Sequence, residues 1–249
     1  MGQERSAALH LAPIASSTTS TLGERVILMC ASALFAGLRP EECFRVASCA
    51  KARIFSRDEL LFMQGQPMTN VMLLEAGSVK LTQLSSAGAE VILWMNGRGD
   101  AVGFHSGDSP CANHSCSARA LETCKALTWE YSKLQRLLID YPQIRTNINQ
   151  ILIGRLQELE ERFREIATEK VAKRLALTLL RLVKNVGKQR QAGIQVSLSR
   201  EEFAQMTGTT LFTISRILSK WSEEGFILPR REAVVVLDSS RLEQIGTED

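Results

Sequence analysis

Apolar positions along this chain change their period twice. In residues 25–50, Val26, Leu28, Leu34, Phe35, Leu38, Phe44 and Val46 recur at helical spacing, and Pro40 stands where it can open a helix, so two short helices are predicted. From 53 to 130 the runs shorten and become β-rich, at 70–74, 79–83, 90–94 and 125–129, with turn glycines between them. Strands this short, with no helical pattern between them, predict an antiparallel barrel or sandwich.

After Pro142 the helical period returns for about 25 residues, carried by Ile148, Leu152, Leu156, Leu159, Phe163 and Ile166 at spacings of three and four. At 1.5 Å per residue this helix extends roughly 39 Å, more than the β module needs for its own cover. Those six residues therefore read as a dimer seam, with Arg155, Glu158, Glu160, Glu161, Arg162 and Arg164 on the helix's other faces. Residues 1–22, ending in a Ser/Thr run, have too little apolar content to bury and read as a flexible tail. The expected division is tail 1–22, β module 23–140, connector and dimerisation helix 141–168, and a C-terminal domain 169–249. That last part opens with a helix to about residue 186 and a polar loop over 187–193.

Ser199-Arg200-Glu201-Glu202 has the form of a capping box, so a helix starts there, and Thr207-Gly208 stops it. A second helix runs from Thr210 to about Ser222, with Ile214, Ile217, Leu218 and Trp221 on one face and hydroxyls and cations on the others. Two short helices joined by a glycine turn fit the major groove of DNA. The following β runs around Pro229-Arg230-Arg231 have the shape of a basic wing. Candidate DNA contacts are Ser199, Arg200, Thr209, Thr210, Leu211, Thr213, Ser215, Arg216, Lys220, Arg230 and Arg231.

Composition narrows the class further. With 249 residues and 45% hydrophobic content the chain can build real cores. The net charge of +3 lies entirely beyond residue 168, at the end that carries the helix pair. No long uncharged apolar run and no secretory pattern occur, so no membrane is expected as a partner and the cytoplasm is the expected location. The three histidines, His10, His105 and His114, belong to no recognisable catalytic motif, so the chain is not expected to be an enzyme.

A β module, a long connector helix and residues 198–218, LSREEFAQMTGTTLFTISRIL, together resemble the Crp/Fnr family of bacterial transcription regulators over roughly 25–240. The resemblance implies an α+β fold: an N-terminal antiparallel β-roll of the cyclic-nucleotide-binding, jelly-roll type, a long dimerisation helix and a C-terminal winged helix-turn-helix. It also implies a homodimer on a two-fold symmetric operator in double-stranded DNA, controlled by a signal sensed in the roll, with RNA polymerase a further candidate partner. The alternative from another class is a small-molecule-binding β-roll that regulates a partner protein without touching DNA. Steep weakening of binding by salt would mark the first.

The sequence departs from family pattern in two places. Where the recognition helix usually begins with an Arg-Glu pair, Leu211 and Phe212 stand here, able to touch a thymine methyl but not to read guanine. Where cyclic-nucleotide binders present Gly-Glu to the ribose and Arg-Ser to the phosphate, the candidate effector residues are Gly99-Asp100 and His114-Ser115. A neutral His is a poor substitute for a guanidinium on a phosphate, so a cyclic nucleotide is not the expected effector. His105, Cys111, His114 and Cys116 cluster in the same loop and invite a haem, metal or thiol-redox reading, but their spacing matches no zinc finger and no metal site is assigned. The three-cysteine N-terminal cluster of the family's iron–sulfur sensors is missing.

Overall fold

A computed structural model of the chain describes residues 20–86, 88–104 and 112–247. Helix α1 (Leu22–Ala31) starts inside the expected tail: Thr21 caps it, and Glu24 closes the box by accepting the Thr21 backbone N–H at 2.8 Å. Residues 20–22 are therefore structured, because a local cap needs no apolar burial of its own. Helix α2 (Pro40–Ser48) opens on its proline, and a single 3-10 turn, Ala33–Phe35, joins the two.

The β module consists of β1 (Lys51–Phe55), β2 (Leu60–Phe62), β3 (Asn70–Ala76), β4 (Val79–Leu84), β5 (Glu90–Asn96), β6 (Ala101–Val102), β7 (Ser117–Ala120) and β8 (Cys124–Glu130). They form two four-stranded antiparallel sheets, ordered β1-β8-β3-β6 and β2-β7-β4-β5. Phe55, Leu74, Leu81 and Ala126 fill the space between the sheets. The β3–β4 turn requires glycine: Gly77 has φ +84°, and a Cβ there would lie 2.6 Å from Cys124 Sγ.

Helix α3 (Tyr131–Asp140) and the first turns of the 27-residue α4 (Pro142–Thr168) pack with α1 and α2 against the other side of the roll. Trp129 is the largest fully buried side chain there; it sits 5.6 Å from the Phe35 ring and donates its indole N–H to Val46 O at 2.9 Å. Asn147, also buried, donates to the carbonyls of Leu34 at 2.9 Å and Ala36 at 2.8 Å.

The C-terminal part comprises α5 (Val171–Val186), β9 (Lys188–Arg190), β10 (Gly193–Val196), α6 (Arg200–Thr207), α7 (Leu211–Glu223), β11 (Ile227–Arg230), β12 (Ala233–Val236) and α8 (Ser239–Thr247). The polar 187–193 stretch, expected to be a loop, instead supplies β9, which pairs with β10 at the edge of a β11-β12-β10-β9 sheet. An edge strand can stay polar on both faces, so its sequence carries no alternation to read. Among the described residues no helix is long and apolar enough to cross a membrane.

The two halves share a core. Ile92 and Met95 of β5 belong to the same apolar cluster as Leu175, Leu179, Phe203 and Leu218. Trp129→Ala would remove the largest side chain of the helix-side core and the indole hydrogen bond to the Val46 carbonyl, which keeps only the Cys49 N–H at 3.2 Å. It is expected to cost about 3–5 kcal/mol of unfolding free energy in urea titration.

Candidate DNA interface and effector cavity

Both helices of the helix-turn-helix are capped by their own hydroxyls. Ser199 Oγ accepts the Glu202 N–H at 3.2 Å while Glu202 Oε2 accepts the Ser199 N–H at 2.9 Å, and Gly208 ends α6 at φ +61°. Thr210 Oγ1 accepts the Thr213 N–H at 3.2 Å and so starts α7. Ile214, Leu218 and Trp221 turn inward. Leu211, Phe212, Arg216 and Lys220 are exposed and Thr213 and Ser215 half-exposed, and a shallow depression runs along Phe212, Ser215, Arg216 and Lys220. Lys220 is 3.7 Å from Glu224, a loose surface pair that leaves it available.

The other candidates lie elsewhere. Arg200 is exposed at the start of α6, and Thr209 is half-buried in the turn. Ser199, Arg230 and Arg231 line a separate cleft of about 890 Å³ between the wing and the roll, where Glu232 of the wing pairs with Arg57 of the roll at 2.7 Å. The α7 face and the wing arginines thus line different depressions.

Side chains without a predicted role fix the helix pair in space. Arg162, expected on an outer face of α4, is buried and donates to the carbonyls of Leu93, Ile92 (3.1 Å) and Met206 (3.4 Å), joining α4, β5 and α6; burial holds its pKa below that of an exposed arginine. Arg174 donates to Thr207 O at 3.0 Å and Glu169 O at 2.9 Å, fastening the inter-helix turn to the end of α4. Glu165 is buried in a two-pronged pair with Arg181 at 2.7 and 2.8 Å. From the roll, Lys80 reaches Glu202 at 2.8 Å, so the carboxylate that closes the α6 capping box is also held by the other domain.

Between the roll and α4 lies a cavity of about 210 Å³. Its roll side is formed by Phe62, Leu81, Trp94, Gly103, Phe104, His114, Ser115 and Cys116, and its helix side by Leu152, Arg155, Leu156 and Leu159. Of the expected effector residues, His114 and Ser115 reach it; Gly99 and Asp100 do not. Gly99 donates to Leu74 O at 2.8 Å and Asp100 accepts the Gly97 N–H at 2.8 Å, so both are consumed within their turn. Burial raises the Asp100 pKa, against the Gly97 N–H and the Arg155 charge. The glycine pair on the cavity wall is Gly103-Phe104, with a ring in place of a carboxylate. His114 is buried and stacks on Phe62 with ring centroids 3.9 Å apart and planes 9° apart.

Arg155, also expected to face outward, enters this cavity. Its guanidinium lies 5.4 Å from the Trp94 ring centroid and 5.2 Å from that of Phe104, and donates to Ala101 O at 3.1 Å. A sequence signal existed: 155 and 162 are in helical register with Ile148, Leu152 and Leu159. That register also corrects the seam. Ile148 is 2% exposed inside the protomer's own core and Leu152 and Leu159 border the cavity, whereas Ile153 (56%), Phe163 (75%) and Leu156 (56%), which also touches the cavity rim, form the outward row, with Ile166 beside it.

His105 and Cys111 lie outside the described residues; among the described ones no group of three candidate metal ligands converges. Burial pushes the thiols of Cys116 and Cys124 up, and that of Cys43 to about 12 with help from the neighbouring Cys30 thiol, which the sequence reading passed over. These are protonated, weakly nucleophilic thiols at neutral pH.

The architecture defines a class: an antiparallel β-roll joined by a long helix to a winged helix-turn-helix. Residues 52–141 match the cyclic nucleotide-binding domain model and residues 173–245 the Crp-like helix-turn-helix domain model. The CRP-like cAMP-activated global transcriptional regulator of Mycobacterium tuberculosis is 25% identical over 217 residues, covering 86% of this chain and 96% of the relative. The cyclic AMP receptor protein of Thermus thermophilus is 28% identical over 215 residues, covering 86% and 97%. The structure of FixK2 from Bradyrhizobium japonicum superimposes with a TM-score of 0.69 at 23% identity, covering 80% of this chain and 98% of that one. The chain belongs to the Crp/Fnr family: it is a transcription regulator with a DNA-binding helix-turn-helix, and not an enzyme.

The Lys80–Glu202 pair makes the joint between domains sensitive to acid. Burial raises the Glu202 pKa, but the Lys80 ammonium and the Ser199 N–H outweigh it and hold the carboxyl below its ordinary 4.5. The pair's contribution is therefore present above about pH 4.5 and disappears as pH falls through the lower folded-state value. Lys80→Met should lose about 1.5–3 kcal/mol at pH 7, with the deficit shrinking below pH 4, as read by urea unfolding across pH.

Proposed function

We propose that this regulator works as a homodimer on a two-fold symmetric DNA site in the cytoplasm, with α7 entering the major groove and an effector bound in the cavity beneath α4 setting the position of the helix pair. The observation that carries the reading is the division of α7: its apolar residues are consumed by the core, while Phe212, Ser215, Arg216 and Lys220 remain on an open face. A 13-residue helix presenting one such face matches what the major groove admits. Thr210, Leu211 and Thr213 sit at its leading end, where base edges are met.

Leu211 and Phe212 give this helix an apolar tip, which favours operators with thymine methyls at the matching positions. Ser199, Arg200, Thr209, Arg230 and Arg231 are assigned to flanking phosphates, a role for the wing that requires the cleft beside the roll to open. RNA polymerase is the natural protein partner of a regulator bound beside a promoter.

Selection of a preferred duplex from a random pool, followed by titration at several salt concentrations, tests the reading. Binding should weaken steeply with salt, and Arg216→Ala should lose about 1–3 kcal/mol on the selected site. Equal affinity of the parent and the variant would end the assignment of α7 as the reading helix.

The second protomer is assigned to the outward row of α4. Ile153, Leu156 and Phe163 repeat at spacings of three and seven, as a coiled-coil seam requires. Phe163→Asp is expected to convert the dimer to monomer in sedimentation and to weaken duplex binding with it.

A further inference from the structure

We propose that the cavity under α4 binds a small aromatic carboxylate, an anion of one planar ring system, through Arg155. This inference rests on the proposed effector role of that cavity and names its ligand class. Four observations converge on it.

The first is charge. Arg155 is drawn from water into a wall of rings and carbonyls, and desolvation holds its pKa down. Among the described residues no carboxylate lies within ion-pair distance of it. Among the described residues only Ala101 O accepts from its five N–H donors, so a half-buried cation with further donors lines the cavity. The Asp100 charge acts on it only from beyond ion-pair distance and does not outweigh its desolvation, so an anion entering the cavity offsets that cost. The planar fork of a guanidinium suits a carboxylate in a two-pronged pair.

The second is the wall behind Arg155. Trp94 belongs to it, with its ring 5.4 Å from the guanidinium and its Nε1–H buried away from the cavity surface, so a ligand meets the donors of Arg155 and not the indole N–H.

The third is shape. Trp94, Phe104, Phe62 and the stacked His114 offer flat faces to the body of the ligand, and the about 210 Å³ available is below the roughly 300–1,000 Å³ of pockets for drug-sized molecules. The fourth is what the wall omits. Among the described residues it contains no carboxylate to accept a ribose hydroxyl, because Phe104 follows Gly103, and its guanidinium comes from α4 instead of the roll. Those features fit a ring with one acidic group better than a sugar phosphate. Since Arg155 is on the helix that carries the outward row, a ligand gripping it acts on the proposed dimer contact directly.

The test uses the full-length protein and thermal unfolding, with benzoate, phenylacetate and indole-3-acetate as probes beside their neutral amides and cyclic AMP. At least one carboxylate at ten times its Kd should raise the Tm by about 3–6 °C. Its amide should give no shift, and Arg155→Gln should abolish the response. Because the acid–amide comparison needs only the parent protein, an unstable variant does not block the test. Cyclic AMP alone raising the Tm, acid and amide acting equally, or no carboxylate acting at millimolar concentration would each overturn the proposal. Duplex binding is measured separately, so failure here leaves the DNA reading standing, while loss of both would remove the proposed function itself.

Discussion

Everything in this molecule turns about one buried guanidinium. Arg162 leaves α4, passes into the interior and satisfies backbone carbonyls on β5 and at the end of α6. Placing a cation there is expensive unless its donors are met, and three carbonyls from two domains meet them. The roll and the DNA-binding half are thereby made to share one apolar cluster, with Ile92 and Met95 of the roll inside the core of the helix pair. A displacement of β5 or α4 cannot occur without disturbing that set of hydrogen bonds.

Around this joint, α4 does three things with three faces. Ile144, Asn147 and Ile148 anchor its start in the helix-side core, Arg155 and Leu159 close the cavity under α4, and Ile153 and Phe163 look away from the protomer, with Leu156 between them at the cavity rim. At its far end Arg174 and the Glu165–Arg181 pair tie the helix to the turn and to α5. Arg155 and Arg162, which fastens α6, therefore stand on one helix, and in the proposed function that helix is the element that joins the cavity to the placement of α7.

Much of this was legible in the chain. The capping box at Ser199, the glycine at 208 and the inward stripe of α7 are local features, decided by backbone donors within a few residues, and they place the helix-turn-helix without any tertiary information. The β-rich runs and their turn glycines were equally local. The cavity was not. Its wall draws on β2, β4, β5, the segment around 114 and α4, separated by up to about a hundred residues, so no window of sequence contains it. Asp100 looked like a ligand group by composition and is spent on its own turn, while Phe104, with no polar signal, stands on the wall.

The seam shows where pattern stops being enough. Along α4 two apolar stripes overlap, and a list of hydrophobic positions mixes them; the cations at 155 and 162 read as solvent-facing because exposed charge is the usual case. The sequence by itself determined that there is a β module, a long helix and a capped helix pair, because caps, turns and periodicity act between near neighbours. Only the tertiary structure decided which stripe of α4 faces the roll and that two arginines go inside. That choice depends on carbonyls and rings supplied by distant strands, whose arrival in space meets the Arg162 charge with backbone oxygens and gives Arg155 an aromatic wall.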